Sequence, residues 1–360
     1  MTKPQDSLTW NEIFAQPDIW TAWGPQLQKS ADDVRAWISQ KKITEIVFAG
    51  AGTSAFVGEI LSFSTPGPIQ LRSVATTDIV SCPYQCLRND PQLLVVQFGR
   101  SGDNSESIGT LDLLDTQFPK VHRLNITCNP NGALATRLPA GSGEQRVIAL
   151  PEATHDSGFA MTSSFTTMLL TALACTNQQP DVASRLTMLA QTAETLLRRL
   201  TAMSPSRPER AIFLGSGALK GVARESALKV LELTAGQTMT SWDSTLGFRH
   251  GPKAVITGQD LVVIMIHPDP HTALYDWDVA REIKAQYPHA SVVTLGGQDC
   301  DIVLRTLSDA RWEACLYVLA AQLWAVIWSG QLGLNIDNPF EGKGNLSRVV
   351  SGVTLYPVAV

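Results

Sequence analysis

The chain has 360 residues, of which 44% are hydrophobic and 17% charged, and its formal net charge is −5. This is the composition of an ordinary globular protein, long enough for two domains. The negative charge and the lack of any Lys/Arg-rich run argue against a nucleic-acid-binding surface. The first residues lack the apolar core of a secretory signal, and six irregularly spaced cysteines indicate reduced thiols, so we expect a cytoplasmic protein.

The first elements in chain order are a helical region and an alternation of strands and helices. Residues 1–42 are rich in Trp and carry no basic excess, so we predict a helical extension that differs from a helix-turn-helix module. From residue 43 onward, short β-branched runs alternate with helical patterns. This alternation predicts an α/β fold in which helices cover both faces of a parallel sheet.

The alternating pattern occurs twice. Three pairs of segments resemble each other at offsets of 165 to 168 residues: EIVFAGAGTSAFVGE (45–59) and RAIFLGSGALKGVARE (210–225), LLVVQFGRSG (93–102) and LVVIMIHPDP (261–270), and LNITCN (124–129) and SVVTLGG (291–297). Similarity over such a distance indicates whole domains rather than short repeat units. A Pro- and Ser-containing linker at 203–209 separates the halves. We therefore predict domains at 43–200 and 201–360.

Two polar loops follow predicted strands, and ligands of such sheets bind at the carboxyl ends of the strands. The first loop, Gly50–Ala55, fits the G-x-G-x-x-G/A dinucleotide pattern, with Asp78 where a ribose-binding carboxylate is expected. The second is GRSGDNSES, residues 99–107. A dinucleotide accounts for the first loop only, whereas the N–H groups and hydroxyls of both loops can surround one phosphate. We favour a phosphate monoester; for either loop alone, glycines that merely permit tight turns stay an alternative.

A charged stripe occurs in the second domain, within GVARESALKVLELTAG (221–236). A helix ending at Gly236 places Glu225, Lys229 and Glu232 on one face. One interpretation is a solvated face with an ordinary ion pair. The other is proton transfer, for which a partly desolvated Glu232 is suited as a general base.

A histidine and a run of hydroxyls are the next candidates. His250 lies in the segment 247–252, whose Gly and Pro residues predict a fixed turn. A lone His is more often structural, but imidazole moves protons near neutral pH, so His250 in this polar loop is a candidate acid–base residue. Thr162, Ser163 and Ser164 open a predicted helix, either as caps or as sugar contacts.

Two further features are assigned no ligand. The pair His155–Asp156 and the motif Cys82-x-x-x-Cys86 lack the additional ligands of a metal site, so we predict no metal. The apolar segment 314–330 falls short of the ~20 residues of a membrane span. Gln322 interrupts it. We predict a buried helix there and no membrane insertion.

These segments resemble the sugar isomerase (SIS) family of phosphosugar-binding domains, and within it the AgaS-type sugar-phosphate isomerase/deaminase branch. The likeness runs from TWNEIFAQPDIW (9–20) to NLSRVVSGVTLYP (345–357). It implies two tandem SIS domains, each a flavodoxin-like parallel sheet flanked by helices. It also implies a phosphorylated hexosamine or ketohexose as substrate, and no cofactor.

The resemblance implies roles for particular residues. Glu232 matches the isomerising base, Lys229 the lysine one turn earlier, and His250 the ring-opening histidine. In relatives that histidine comes from the neighbouring subunit, so we expect a homodimer or a dimer of dimers. The substrate-binding set is taken from the two loops, the hydroxyl run and the C-terminal segment: Gly52, Thr53, Ser54, Arg100, Ser101, Asn104, Ser163 and Arg348.

Some positions depart from the family pattern. Asp103 and Asn104 replace an Asn–Ser pair, and because a carboxylate beside a phosphate is unfavourable, we expect Asp103 to point away. The interval from Glu232 to His250 is longer by two residues than in the family's synthases. Arg348 stands where those synthases have a lysine; it retains the charge but does not readily give up a proton, so we expect an electrostatic role.

One further difference predicts the direction of the reaction. The synthases begin with an amidotransferase domain, whereas this sequence opens directly into the SIS region, so we expect release of ammonia. The expected reaction converts galactosamine 6-phosphate to tagatose 6-phosphate and ammonia. Two alternatives stay open: a tagatose-6-phosphate ketose/aldose isomerase that releases no ammonia, and a non-catalytic sugar-phosphate-binding regulator, in which Glu232 is dispensable.

Overall fold

The computed structural model of the protein describes residues 3–177, 181–203, 205–304, 308–342 and 346–358. Three predicted segments each include residues outside these ranges: 1–42 includes Met1 and Thr2, 203–209 includes Ser204, and 345–357 includes Asn345. The chain divides into two compact units. Unit A comprises Ala22–His155, Ser164–Ala183 and Ser347–Val360, and unit B comprises Met1–Thr21, Asp156–Ser163 and Ser184–Leu346. The domain boundaries derived from the sequence stay predictions.

Unit A contains a five-stranded parallel sheet. Its strands are β1 (Glu45–Ala49), β2 (Gln70–Ser73), β3 (Leu93–Gly99), β4 (His122–Thr127) and β5 (Gln145–Ala149). Their order is β2-β1-β3-β4-β5, and every residue of β1, β3 and β4 is buried. Parallel strands covered on both faces are nearly continuous apolar runs, which is why the sequence pattern predicts them.

Unit B contains a second parallel sheet with the same connectivity. Its strands are β6 (Arg210–Gly215), β7 (Met239–Asp243), β8 (Leu261–Met265), β9 (Ser291–Gly296) and β10 (Ile302–Val303). Their order is β10-β9-β8-β6-β7. In each sheet the first strand lies between the second and the third, which is the flavodoxin-like order. The predicted fold class, two tandem parallel α/β domains with flanking helices, is confirmed.

Helices connect these strands. In the described ranges they are α1 (Leu8–Gln40), α2 (Thr53–Ser62), α3 (Thr76–Ser81), α4 (Pro83–Cys86), α5 (Ser105–Thr116), α6 (Ala133–Thr136), α7 (Ser163–Thr176), α8 (Val182–Ala202), α9 (Leu219–Leu233), α10 (Pro270–Gln286) and α11 (Ala310–Gln331). The side chains of Asn104, Asp269 and Asp309 accept hydrogen bonds from N–H groups in the first turns of α5, α10 and α11. These caps explain why the three helices begin where they do.

The apolar segment near the C-terminus forms α11. This helix is long and apolar enough to cross a membrane, and 89% of its most apolar 18-residue window is buried inside the protein. Gln322, which interrupts the apolar run, is fully buried and accepts a hydrogen bond from Gln16 Nε2 at 2.9 Å. The predicted buried helix is confirmed, and the amide pair accounts for its polar residue.

Candidate active site

The loop between β1 and α2 is shaped by two glycines. Gly52 has a φ of 55°, and a side chain there would meet no atom within 4 Å. At Gly50 an added Cβ would lie 2.6 Å from Ser54, so the close approach of the loop to α2 requires glycine. Thr53 and Ser54 begin α2 and are almost fully buried. The backbone at Gly52 is therefore open to a ligand at a helix N-terminus, where N–H groups favour an anion.

The second loop follows β3, the strand paired with β1, and so lies at the same edge of the sheet. Asn104 Oδ1 accepts a hydrogen bond from the Ser107 N–H at 2.7 Å and caps α5. The Ser101 hydroxyl accepts one from the Asp103 N–H at 3.2 Å. The Asp103 carboxylate itself accepts a hydrogen bond from the Ala133 N–H at 2.7 Å. The Asp103 carboxylate therefore lies at the start of α6. This position agrees with the expectation that Asp103 turns away from a phosphate.

The C-terminal segment 346–358 contacts this second loop. Arg100, which is 6% exposed, donates a hydrogen bond to the Arg348 carbonyl at 3.1 Å. The Ser105 N–H donates to the Val350 carbonyl at 3.2 Å. The structure therefore brings Arg100 and Arg348 of the predicted set together through the backbone, while the Arg348 side chain is exposed.

The corresponding loop of unit B, between β6 and α9, has a different chemistry. At Gly215 an added Cβ would lie 2.5 Å from Leu219, so Leu219 takes the place that Ser54 has in unit A. The Ser216 hydroxyl donates a hydrogen bond to Asp276 Oδ1 at 2.5 Å. Asp276 is fully buried, and burial raises the pKa of its carboxyl group. An apolar side chain and a carboxyl group disfavour phosphate here, so the unit A loops are the better anion site.

Three charged side chains of α9 form a buried ion cluster. Lys229 Nζ lies 2.6 Å from Glu232 Oε2 and 3.5 Å from Glu225 Oε1. The side chains of Lys229 and Glu225 are 1% and 0% exposed, whereas that of Glu232 is 24% exposed. The interpretation of this stripe as a solvated face is therefore wrong. The ammonium group positions Glu232, the member of the cluster that solvent reaches.

The end of α9 also differs from the prediction in detail. The helix was expected to end at Gly236, and its last helical residue is Leu233. Ala235 and Gly236 both have positive φ, and the Gly236 N–H donates to the Leu231 carbonyl at 2.9 Å. With the bond from the Ala235 N–H to the Glu232 carbonyl at 3.0 Å, this forms a Schellman motif. Ala235 is its left-handed residue, and the expected Gly236 follows, three positions after Leu233.

His250 lies on an exposed turn of unit B. Two 3-10 turns flank it, Gly247–Arg249 and Pro252–Val255, as the Gly and Pro residues of this segment predict. The backbone N–H of His250 donates a hydrogen bond to the Gly247 carbonyl at 2.9 Å. The imidazole is thus displayed by a fixed backbone rather than packed in a core.

An ionic clamp holds this turn on both sides of the histidine. Arg249 Nε donates to Glu282 Oε2 of α10 at 2.7 Å, and Lys253 forms an ion pair with the other oxygen of the same carboxylate. Hydrogen bonds from Lys253 and Arg249 lower the pKa of the Glu282 carboxyl group. Because the clamp spans both flanks, it restricts where the intervening imidazole can go.

Ser163 is fully buried at the start of α7. Its hydroxyl and its N–H both donate to Asp156 Oδ1, at 2.5 and 3.0 Å. The hydroxyl and the N–H of Thr162 donate to the same carboxylate, at 3.0 and 2.8 Å. These are the contacts of a helix cap. A sugar contact through Ser163 stays a prediction.

Sequence and fold both have counterparts along the whole chain. The chain is 36% identical to the D-galactosamine-6-phosphate deaminase AgaS of Shewanella sp. (strain ANA-3), over 97% of this chain and 92% of that protein. It is 35% identical to the protein of the same name from Escherichia coli, over 97% of this chain and 96% of that one. This chain belongs to the AgaS family. No protein-family model matches the sequence.

The fold of this AgaS-family member is also found among solved structures. The tagatose-6-phosphate ketose/aldose isomerase from Escherichia coli matches it with a TM-score of 0.88 and 32% sequence identity, covering 99% of this chain and 98% of that one. The resemblance to the AgaS-type SIS branch is therefore confirmed. The two polar loops and the charged helix carry this resemblance in the sequence.

Three acidic residues that contact predicted segments were not assigned a role from the sequence: Glu225, Asp276 and Glu282. Helical spacing placed Glu225 in the charged stripe with Lys229, because side chains four residues apart lie on one helix face. The other two are on α10, and their partners lie 60 and 33 residues away in the chain. No local pattern links residues at such a distance.

Proposed function

We propose that this protein is a D-galactosamine-6-phosphate deaminase, which converts galactosamine 6-phosphate and water to tagatose 6-phosphate and ammonia. The observation that carries the proposal is a sequence identity of 35–36% to two proteins named for this activity, over 97% of this chain. The buried charge cluster of α9 supports it, since isomerisation needs a carboxylate held in a fixed position. All six cysteines are free thiols, which supports a place in the cytoplasm.

In this proposal the phosphate group binds to the two loops of unit A. The open backbone at Gly52 and the hydroxyls of Ser54 and Ser101 supply donors, and Arg100 and Arg348 supply positive charge. Hydrogen bonds to a charged group are each worth ~1.5–3 kcal/mol, so a few of them anchor the substrate while the rest of the sugar reacts.

The chemistry begins with opening of the pyranose ring. His250 accepts the proton of the C1 hydroxyl and donates one to the ring oxygen, which breaks the bond between C1 and that oxygen and yields the open-chain aldehyde. Glu232 then takes the proton from C2 while the C1 oxygen gains a proton from solvent, which gives an enolamine. Glu232 returns its proton to C1, which gives a protonated imine at C2. Water adds to C2, and ammonia and a proton leave. Only protons and water are exchanged, so the proposed reaction uses no cofactor.

A second candidate has its own support. The structure with a TM-score of 0.88 is that of a tagatose-6-phosphate ketose/aldose isomerase, and the same two proton-transfer residues suffice for that reaction. In this reaction C2 of the substrate carries an oxygen substituent instead of an amino group, so no ammonia is formed.

One experiment separates these candidates from a regulator that only binds sugar phosphate. Purified protein is incubated with galactosamine 6-phosphate, and free ammonia and tagatose 6-phosphate are measured against Glu232→Gln. We expect both products from the wild type, and a fall of about 10²–10⁴-fold in the variant. In a parallel incubation the substrate is tagatose 6-phosphate. If this sugar is converted to an aldose while galactosamine 6-phosphate yields no ammonia, the protein is the isomerase. Binding with no turnover of either sugar selects the regulator.

We further propose a homodimer in which His250 acts in the site of the neighbouring subunit. Its exposed position on a clamped turn supports this, because a residue that serves another subunit must reach the surface of its own. Mixing inactive Glu232→Gln and His250→Gln subunits should then return about a quarter of wild-type activity, since each hybrid dimer has one site with both residues. A tagged pull-down establishes that subunits exchange. Exchange without regained activity places both residues in one subunit.

A further inference from the structure

Two thiols with no part in the proposed reaction lie next to each other in unit A. The Sγ atoms of Cys82 and Cys86 are 3.9 Å apart. Cys82 is half-buried, whereas Cys86 is 8% exposed. We propose that Cys82 and Cys86 form a redox modification site, which hydroperoxides convert to an intramolecular disulfide.

The backbone is what brings these sulfurs together. In a continuous helix, side chains four residues apart have Cβ atoms about 5–6 Å apart, whereas a disulfide needs about 3.8 Å. Cys82 interrupts the helix with φ −141° and ψ 60°, and Pro83 starts the next one. The break turns the two side chains toward each other. Formation of the bond, about 2.05 Å long, then needs an approach of roughly 2 Å, which side-chain rotation can supply.

A small solute can reach Cys82 from solvent, because this side chain is only half-buried. Its neighbours Ser81 and Pro83 line a cavity of about 490 Å³ together with Val353–Val358, although the two cysteines do not line it themselves. The Cys82 thiol donates to the Asp78 carbonyl at 3.2 Å and is not enclosed by apolar side chains alone. Among the described residues no cluster of three or more His, Cys, Asp or Glu side chains is arranged for a metal.

The chemistry assigns a different role to each thiol. The Cys82 thiolate attacks one oxygen of hydrogen peroxide, which breaks the O–O bond, oxidises the sulfur to a sulfenic acid and releases water after protonation. Cys86 then attacks that sulfur, the S–S bond forms, and a second water leaves with the proton of Cys86. Two thiols and one peroxide give one disulfide and two waters. Burial raises the pKa of the Cys86 thiol to about 11, so its thiolate is scarce and the sulfenic acid persists long enough to be trapped.

The sequence makes the test direct. Cleavage after Arg72 and Arg88 gives one tryptic peptide, 73–88, that contains both cysteines. Reduced full-length protein is treated with hydrogen peroxide, alkylated and digested. We expect this peptide to escape alkylation and to lose two hydrogen atoms in mass, reversibly with dithiothreitol. Cys128, a buried cysteine in another peptide, is the internal control and should oxidise at least about tenfold more slowly.

Two variants test the order of events. In Cys86→Ser the Cys82 sulfenic acid has no resolving thiol and should accumulate as a dimedone adduct. In Cys82→Ser the buried Cys86 should stay reduced in the folded protein. Three results would overturn the proposal: both thiols alkylated after peroxide, Cys82 oxidised to sulfinic acid without a disulfide in the wild type, or oxidation of Cys128 at the same rate. None of these readouts depends on the proposed enzymatic function.

Discussion

Replacement of Lys229 by methionine tests whether the charges of α9 form a buried cluster. Methionine keeps an unbranched side chain of similar length but removes the ammonium group that lies 2.6 Å from Glu232 and 3.5 Å from Glu225. Glu225, whose side chain is 0% exposed, then loses the positive charge of Lys229 while remaining inside the protein. Loss of a cation beside a buried carboxylate is what makes this change costly.

The size of the effect follows from burial. Removal of one partner from a buried ion pair costs about 3–5 kcal/mol, whereas an exposed pair contributes about 0–1 kcal/mol. At about 2–4 °C per kcal/mol for a unit of this size, Lys229→Met should lower the melting temperature by roughly 6–20 °C. The matched control is Arg281→Met, which breaks an i,i+3 ion pair with Asp278 on α10 whose side chains are 66% and 55% exposed. The control should shift melting by no more than about 4 °C.

Calorimetry of both variants at neutral pH is the assay, with Glu225→Gln added to Lys229→Met as a second arm. Replacing Glu225 by glutamine removes the buried negative charge, so the double variant should recover part of the lost stability. If Lys229→Met melts no lower than Arg281→Met, the buried cluster is not energetically significant and this reasoning is refuted. If Glu225→Gln restores nothing, the loss arises from packing and not from charge.

Two further predictions concern the anion site and a carboxyl group of α1. Ser54→Ala and Ser101→Ala should each raise KM at least about tenfold, because each loses a hydrogen bond to a charged group worth ~1.5–3 kcal/mol. Ser216→Ala, in the corresponding loop of unit B, should leave KM unchanged, and an equal rise in all three would contradict the assignment. Burial and the charge of Asp156 raise the pKa of Glu12 from 4.5 to about 7. The folded state thus retains a proton that the unfolded state loses, so stability should fall as pH rises through that window, and melting curves at several pH values should lack this fall in Glu12→Gln.

The fold was predictable because its central strands are buried on both faces. EIVFA, LLVVQFG and LVVIM are nearly continuous apolar runs, interrupted only by Glu45 and Gln97, and they form β1, β3 and β8. α1 was less predictable in detail, since it continues for 33 residues through Pro17 and Pro25, each of which lacks an N–H for the helix. Tertiary packing overrides a local signal of this kind.

The candidate site was predictable only in part. Helical spacing placed Glu225, Lys229 and Glu232 on one face, but spacing alone does not say whether that face meets water or protein, and the structure buries it. The hydroxyl run at 162–164 illustrates the same limit, since capping and sugar binding use the same residue types. The glycine pattern shared by dinucleotide and phosphate loops also fits more than one ligand. The second loop favours phosphate, and that assignment stays a prediction.

The hydrogen bond between Ser216 and Asp276 has a consequence for inference by analogy between the halves of this chain. Both sheets have one strand order, and Gly50 and Gly215 make the same close approach to the helix that follows. A superposition of the halves would nevertheless suggest a second phosphate loop in unit B, where Leu219 and a buried carboxyl group are unfavourable for an anion. Architecture transfers from one half to the other, whereas ligand chemistry does not, and a site borrowed by superposition must be checked side chain by side chain.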